Sequence, residues 1–247
     1  MSQHRNLTRW LALPYAIWAL SSFTVLAVSV LVLILPVPWQ NVRRHMVRAA
    51  ARTSLLLCGM RLSVLNPQHL PATACVVVAN HSSYLDGIVL YAALPPVFSF
   101  VIKREMSRVP LANLLLRRIG AHYVDRGGQR SARDTRRLFR NAAAGGALAF
   151  FPEGTFEREP GLLRFRSGAF VVAANAAMPV IPIAIRGTRR ALPAGTLLPL
   201  PARIEIELTP PLPAPESTAT EQITASVGAA RRAILARIDE PDLDPAS

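Results

Sequence analysis

A histidine and an aspartate lie five positions apart in the stretch VVVANHSSYLDGIVL, which runs from Val76 to Leu90. On a regular helix that separation would place the two side chains about 140° apart around the axis, too far for contact. The apolar residues before His81 instead predict a strand, which puts His81 in the turn beyond it and lets Asp86 begin the next helix. Such a turn can fold the carboxylate onto the imidazole, fix its tautomer and stabilise its cationic form. The spacing therefore predicts a general base, His81, oriented by Asp86.

Two other interpretations fit part of this stretch. In the first, His81 satisfies a turn carbonyl and Asp86 caps a helix, without chemistry. In the second, Ser82 or Ser83 is a nucleophile. The sequence has no G-x-S-x-G turn, and adjacent residues do not face one another on regular backbone, which argues against a serine nucleophile.

Three further polar clusters follow predicted strands. Lys103 ends VFSFVIK (97–103), Arg126 ends GAHYVDR (120–126), and Glu153, Gly154 and Thr155 follow the strand that begins GALAFF at residue 146. Taken singly, these fit a solvated arginine or an ordinary Pro-Gly turn. A guanidinium in such a turn can also hold a phosphate through two hydrogen bonds. Because ligands of open α/β sheets bind beyond the carboxyl ends of the strands, we expect the four clusters to converge.

The order of apolar segments predicts how these clusters are positioned. Six short apolar runs read as strands, at 73–80, 97–103, 120–126, 146–154, 179–187 and 202–209, and helical patterns occupy 107–119, 130–144, 167–178 and 218–238. Strands that alternate with helices indicate an α/β fold with a mostly parallel central sheet covered by helices on both faces.

The amino-terminal region has a different composition. Residues 11–35 carry no charge. This segment is long enough for a membrane helix or a re-entrant hairpin, since a spanning helix needs roughly 20 apolar residues. A secretory signal or a buried core helix is the alternative interpretation. Arginines at 43–61 follow this segment, and we expect them to face anionic head groups. The second apolar stretch, residues 50–65, reads as an interfacial helix. We therefore predict a membrane-associated segment at 1–62, a catalytic domain at 63–240 and a disordered tail at 241–247.

The charge balance points to an anionic partner. The chain has a formal net charge of +13, and Lys103 is its single lysine. A basic nucleic-acid-binding protein anchored to a membrane is one such reading, but the predicted strands lack interleaved aromatic residues for base stacking. We expect no nucleic acid, no metal site and no bound cofactor. Cys58 and Cys75 lie in apolar runs, which indicates buried, reduced thiols.

Six segments together resemble the 1-acylglycerol-3-phosphate acyltransferase family over about residues 50–210. They are NHSSYLD, VIKREM, GAHYVDR, FPEGT, RFRSGAF and VIPIAIRG, in the family order. The resemblance implies that His81 takes the proton of an acceptor hydroxyl and that Asp86 orients it. It also implies that Lys103 and Arg126 neutralise a phosphate, and that the Glu153–Thr155 turn shapes the acceptor site.

The resemblance further implies the substrates. The acyl donor would be a thioester, acyl-CoA or acyl-ACP (an acyl carrier protein), and the acceptor would be a lysophospholipid, 1-acylglycerol-3-phosphate first. The location follows from the charges instead: more arginines follow residues 11–35 than precede them, which predicts a catalytic domain that faces the cytoplasm from the inner (cytoplasmic) membrane.

One departure from the family pattern concerns the acceptor. The family has an arginine after the threonine of the Pro-Glu-Gly block, and this chain has Phe156. A substitute charge would come from Arg158, Arg164 or Arg166. The acceptor could therefore instead be a lyso-ornithine lipid, lysophosphatidylethanolamine or glycerol 3-phosphate.

Overall fold

A computed structural model describes the backbone of residues 2–125 and 129–244 and the side chains of residues 13–125 and 136–244. The α-helices are α1 (Ser2–Ile34), α2 (Gln40–Leu57), α3 (Asp86–Ala93), α4 (Pro110–Arg118), α5 (Gln129–Ala143), α6 (Gly168–Asn175), α7 (Thr188–Ala191) and α8 (Thr220–Leu235). The strands are β1 (Arg61–Leu65), β2 (Val76–Ala79), β3 (Ser99–Lys103), β4 (His122–Val124), β5 (Leu148–Phe150), β6 (Val180–Arg186) and β7 (Arg203–Leu208).

The strands form one seven-stranded sheet in the order β1-β7-β6-β2-β5-β3-β4. Every neighbouring pair is parallel except β6 and β7, which are antiparallel. All four residues of β2 are buried, as expected for a central strand covered on both faces. The mostly parallel sheet and the six predicted strands are confirmed, and the parallel pairing aligns the carboxyl ends of β2, β5 and β3.

Two apolar clusters cover the sheet, one on each face. One contains Leu55 of α2 and Leu90 of α3. The other contains Leu138 of α5, Phe170 of α6 and Ile234 of α8. Helices therefore lie on both faces of the sheet, as the alternation of strand and helix patterns predicts.

Strand β1 corrects the prediction for residues 50–65. The expected interfacial helix ends at Leu57, and residues 61–65 form an edge strand that pairs with β7. A glycine at position 59 with a φ of +61° follows the helix, a conformation that ends helices and favours glycine. The five residues of β1 then alternate between exposed and half-buried, the period of a strand. The predicted domain boundary between residues 62 and 63 therefore falls inside the sheet.

Helix α1 contains an apolar span, Leu13–Ile34, of 22 residues with a mean hydropathy of 2.4. By length and composition it is the one helix in the described part of the chain that could cross a membrane, and 22 % of its most apolar window is buried. Val30, Leu31 and Ile34 pack against Val47 of α2 and Ile119 after α4. Helix α1 is thus joined to the folded domain along one face, while most of its apolar surface is exposed.

Four arginines of α2 bind backbone carbonyl groups, and three of them reach across to α3 and to the residue after α4. Arg44 donates to the carbonyl of Ile119 at 2.8 Å and to Ser99 Oγ at 2.6 Å. Arg48 and Arg52 donate to the carbonyls of the last two residues of α3, at 3.1 and 2.8 Å. Cations at the carboxyl end of a helix satisfy its free carbonyls and its dipole. These guanidinium groups hold α2 on the sheet and its helices, whereas we expected them to face lipid head groups.

The chain beyond α8 returns to contact α8 and the segment around Leu162. The Leu243 N–H donates to the Leu162 carbonyl at 3.1 Å, and Asp242 accepts a hydrogen bond from Arg231 Nη1 at 2.7 Å. Residues 241–244, which we expected to belong to a disordered tail, are therefore bound to the domain, and residues 245–247 lie outside the described part of the chain.

Candidate active site

His81 and Asp86 are in contact at the carboxyl end of β2. His81 lies in the turn after the strand, and Asp86 is the first residue of α3. His81 Nδ1 lies 2.8 Å from Asp86 Oδ2. Because an ionised carboxylate only accepts hydrogen bonds, Nδ1 carries the shared proton and Nε2 is left to accept another. This is the geometry of a general base and the acid that orients it.

The turn between them is held by backbone donors. Asp86 is fully buried, and its Oδ2 also accepts the N–H groups of Ser82 at 2.6 Å and Ser83 at 2.8 Å. The Ser83 hydroxyl donates to the Leu192 carbonyl at 2.7 Å, and the Ser82 hydroxyl lies 3.2 Å from Thr188 Oγ1. Both serine side chains are therefore occupied in shaping the turn.

Glu153 lies beside His81 because β5 is the neighbour of β2. The Gly154 N–H donates to the Phe151 carbonyl at 2.9 Å, closing a turn in which Gly154 has a φ of +70°. Glu153 is only 4 % exposed. Its Oε1 accepts the His81 N–H at 2.6 Å, and its Oε2 accepts the Leu163 N–H at 2.8 Å. The carboxyl group thus binds the backbone of the histidine turn.

Burial makes Glu153 an unusual carboxyl group. It raises the pKa of Glu153 from 4.5 to about 8, although the hydrogen bonds from the Leu163 and His81 N–H groups act to lower it. The folded protein therefore favours the neutral form of Glu153. Its contribution to stability is full below the unfolded pKa of 4.5 and is lost as the pH rises through about 8.

We expect the variant Glu153→Gln to lose this dependence on pH. The melting temperature of the unmodified protein, followed from about pH 5 to about pH 9, should fall relative to that of the variant as the pH approaches 8. Because the variant has no titrating group at this position, it is the reference for the unmodified protein. A difference in melting temperature that stays constant over this range would mean that Glu153 titrates at an ordinary pKa.

Aromatic side chains surround the imidazole. The Phe151 ring stacks on the His81 ring, with centroids 4.4 Å apart and planes at 25°. Phe156 meets the same ring at 4.5 Å and 63°, and Tyr84 lies 4.8 Å from Phe156. Phe156 thus places an apolar ring on the histidine at the position where the family has an arginine. Sequence reasoning missed the contacts of Phe151 and Tyr84, for which the only signal was that each lies within one of the quoted segments, FPEGT and NHSSYLD.

This histidine lines a cavity of about 940 Å³. Its volume is at the upper end of the range for ligand sites, roughly 300–1,000 Å³. Its wall comes from both the amino-terminal helices and the sheet domain, and it is mostly apolar. Residues from α1, α2 and α4 that line it include Phe23, Leu26, Val30, Val47, Ala50, Leu115 and Leu116. The cavity therefore has the volume and lining to hold a hydrocarbon chain beside His81.

The predicted site residues divide into two groups. His81, Lys103, Gly154, Thr155 and Arg158 line the cavity. The residues that do not line it are Asp86, Glu153, Arg164 and Arg166, and the predicted phosphate ligand Arg126 lies outside the described residues.

Arg164 is directed away from the site: its side chain is 84 % exposed, and its Nε lies 3.9 Å from Asp244 Oδ2. Of the three substitute charges proposed from the sequence, Arg158 is thus the one at the cavity. Among the described residues, no group of three or more His, Cys, Asp or Glu side chains could hold a metal ion.

The fold and this site define a class of protein. A His–Asp pair beyond the carboxyl end of a central strand, with an apolar cavity reaching the imidazole, suits an α/β enzyme that activates a hydroxyl group against an acyl substrate. The family model named Acyltransferase matches residues 61–186 of this chain. The chain belongs to the acyltransferase family.

Relatives with known names are similar over part of their length. The chain is 33 % identical over 132 residues to "1-acyl-sn-glycerol-3-phosphate acyltransferase BAT2, chloroplastic" of Brassica napus, covering 52 % of this chain and 38 % of that protein. It is 29 % identical over 137 residues to a 1-acyl-sn-glycerol-3-phosphate acyltransferase of Saccharomyces cerevisiae, and the match covers 54 % of this chain and 45 % of that protein. It is 32 % identical over 157 residues to human lysophosphatidylcholine acyltransferase 1, and the match covers 61 % of this chain and 28 % of that protein. The matches thus span less than half of each of these relatives.

A solved structure has the same fold over nearly the whole chain. The 1-acyl-sn-glycerophosphate acyltransferase PlsC from Thermotoga maritima aligns with a TM-score of 0.73 and 21 % sequence identity, covering 96 % of this chain and 97 % of that one. The similarity therefore includes the amino-terminal helices as well as the sheet.

Proposed function

We propose that this protein transfers a fatty acyl group from a thioester to the free hydroxyl of a lysophospholipid, most directly converting 1-acylglycerol-3-phosphate to phosphatidic acid. The single observation that carries the proposal is the contact of Asp86 with His81, which lines an apolar cavity of about 940 Å³. The names of the two plant and yeast relatives support the choice of acceptor.

The reaction follows from the arrangement of the imidazole. His81 Nε2 takes the proton of the acceptor hydroxyl, and the oxygen attacks the carbonyl carbon of the thioester. The tetrahedral intermediate collapses with cleavage of the C–S bond, and the imidazolium returns its proton to the departing thiolate. Asp86 stabilises the imidazolium in both steps. The two substrates react directly, without a covalent intermediate on the protein.

The oxyanion of this intermediate requires hydrogen-bond donors. The Gly154 N–H donates to the Phe151 carbonyl, which leaves the first turn of α3 as the stronger candidate. Gly87 and Ile88 of that turn line the cavity, and the first N–H groups of a helix have no partner within the helix. A donor in this position is worth roughly 3 kcal/mol to the transition state.

The apolar cavity supplies the binding energy for a lipid substrate. Each methylene that it keeps out of water contributes about 0.8 kcal/mol. Because α1 forms part of its wall and exposes apolar side chains such as Ile17, Val25 and Val32 on its surface, we infer that α1 lies in the bilayer. A lysophospholipid could then reach His81 without crossing water. We further propose that this bilayer is the inner (cytoplasmic) membrane and that the catalytic domain faces the cytoplasm.

The head group of the acceptor has an alternative assignment that one substitution in the sequence favours. Phe156 brings no charge to the site, so the phosphate would depend on Lys103, on Arg158 and on Arg126. An acceptor with a less anionic head group, such as lysophosphatidylethanolamine or a lyso-ornithine lipid, is favoured by this same substitution.

Transfer of labelled acyl groups by the purified protein tests these assignments. The acceptors are 1-acylglycerol-3-phosphate, lysophosphatidylethanolamine, a lyso-ornithine lipid and glycerol 3-phosphate, each offered with acyl-CoA and with acyl-ACP, and the products are identified by mass. Formation of phosphatidic acid in clear excess supports the first acceptor. Preference for another acceptor would reassign the head group, and absence of transfer to any hydroxyl would refute the reaction itself.

We expect Arg158→Ala to raise the KM for 1-acylglycerol-3-phosphate about tenfold, because loss of one charge-assisted hydrogen bond is worth roughly 1.5–3 kcal/mol. The KM for the acyl donor should change little. Arg164→Ala is the matched control, since Arg164 is exposed and does not line the cavity. Equal effects of the two variants on the acceptor KM would remove Arg158 from the head-group site.

A further inference from the structure

The carboxyl-terminal residues Glu240–Leu243, here called the C-terminal strap, bind the segment that follows the Glu153 turn. Glu240 Oε2 accepts the Gly161 N–H at 2.8 Å. The Leu162 N–H donates to the Pro241 carbonyl at 2.9 Å, and the Leu162 carbonyl accepts the Leu243 N–H at 3.1 Å. The strap and residues 161–162 therefore run side by side like two short strands.

The next residue connects this segment to the active site. The Leu163 N–H donates to Glu153 Oε2 at 2.8 Å, and Glu153 Oε1 accepts the His81 N–H at 2.6 Å. Because Glu153 is buried and does not line the cavity, its carboxyl group acts on the backbone of His81. An unbroken series of covalent and hydrogen bonds thus leads from the strap through Leu162 to the base.

A partly buried ion pair holds the same segment from its other side. Arg189, just after β6, forms two hydrogen bonds of 2.8 Å with the Glu240 carboxylate. The same guanidinium donates to the Glu157 carbonyl at 2.8 Å and to the Arg158 carbonyl at 3.3 Å. Arg189 and Glu240 therefore hold the two ends of residues 157–161, and Arg158 within that segment lines the cavity. Bidentate pairs of this kind are geometrically specific.

Packing leaves little freedom at this contact. Gly161 has a φ of +147°, and a Cβ placed on it would lie 2.4 Å from Leu243 Cγ. Arg231, which is 2 % exposed, binds Asp242 and also donates to the Leu162 carbonyl at 3.0 Å. The strap is therefore fixed to α8 on one side and to residues 161–162 on the other.

We propose that the C-terminal strap positions the catalytic histidine, with Glu240 and Arg189 as positioning residues that act through residues 157–163 and Glu153. Neither residue lines the cavity, so neither touches substrate. The inference rests on the proposed function, because it assigns the strap to the placement of the base in that reaction. It extends the functional unit beyond the residues of the family model, which end at 186.

The variant Glu240→Ala tests the proposal in the full-length protein. We expect kcat for acyl transfer to fall about 10- to 100-fold, since displacement of a catalytic group by 1 Å can cost roughly 10²-fold. The KM for the acyl donor should stay within about twofold, because the walls that hold the acyl chain are unchanged. Arg189→Lys keeps the positive charge but loses the forked geometry, and it should also lower kcat.

Arg237→Ala is the matched control. Arg237 lies three residues before Glu240 and pairs with Glu207 on β7 at 3.0 Å, away from residues 157–163. We expect it to lower the melting temperature about as much as Glu240→Ala while kcat stays within about twofold. If both variants lower kcat in proportion to the loss in melting temperature, the strap stabilises the fold only and the proposal is overturned.

A double-mutant cycle with Glu153→Gln tests the route of the effect. If Glu240 acts through Glu153, then Glu240→Ala should lower kcat less than about threefold when Glu153 is already replaced. Full additivity of the two losses would overturn the proposed route. Failure of the proposed function gives a different result, because the unmodified protein would then transfer acyl groups to no acceptor. If only the proposal about the strap is wrong, the unmodified protein is active. Glu240→Ala then has a normal kcat or loses kcat only in proportion to its loss in melting temperature.

Discussion

Replacing His81 with alanine is expected to lower kcat for acyl transfer by at least about 10²–10⁴-fold, the usual contribution of a positioned general base. The loss should appear wherever the unmodified protein is active, because alanine has no proton acceptor. The variant should still bind membranes, since His81 is only partly exposed inside the cavity and α1 is unchanged. Initial rates with a saturating acyl donor, together with a membrane flotation assay, measure both properties.

Ser82→Ala is a useful control for this experiment. Its hydroxyl lies next to His81 in sequence but contacts Thr188 in the buried turn. Its replacement should cost stability while most of the activity remains. Ordinary activity in purified His81→Ala would show that another group takes the proton, and the mechanism proposed above would then be wrong.

Replacing Asp86 with asparagine is expected to lower kcat by about 10²–10⁴-fold while the fold survives. Asp86 Oδ1 is buried and has no hydrogen-bond partner among the described residues, so the new amide nitrogen can occupy that position. The amide oxygen then keeps the bonds from Ser82, Ser83 and the imidazole. What the variant loses is the negative charge that stabilises the imidazolium.

Circular dichroism and the melting temperature of the variant separate this effect from misfolding. Both should remain close to those of the unmodified protein, because the bonds from Ser82 and Ser83 to position 86 are kept. An ordinary kcat in the folded variant would mean that Asp86 is a helix cap and not the partner of the base.

The local part of the site was predictable because it depends on short segments. Apolar runs that end in Asn80 and Phe151 mark the ends of two strands, and parallel strands that are neighbours bring their following turns together. That rule was enough to expect His81 and Asp86 in one turn. It was also enough to expect Glu153 nearby, since β2 and β5 are paired.

The partners of Glu153 were not predictable for a physical reason. Its carboxyl group binds the N–H groups of His81 and Leu163, and every residue except proline presents the same N–H group. Nothing in the side-chain sequence therefore distinguishes these two donors. The family resemblance implies an acceptor contact, and we propose from these hydrogen bonds that Glu153 supports the base.

Tertiary context also decided the elements that were missed. Residues 61–65 are strand only because β7 lies beside them, and the run is too short to reveal a period by itself. The arginines of α2 resemble a basic membrane surface in sequence. They bind carbonyls at the ends of α3 and α4 because the helix docks there, and no linear pattern records that docking.

The wall that α1 gives to the cavity has a practical consequence for producing this protein. Phe23, Leu26, Ala27 and Val30 border the space that begins at His81. A shortened version designed for solubility, lacking the first 38 residues, would keep the His81–Asp86 contact and would leave that space open to water along one side. An activity assay should therefore use protein that retains α1, in detergent or lipid.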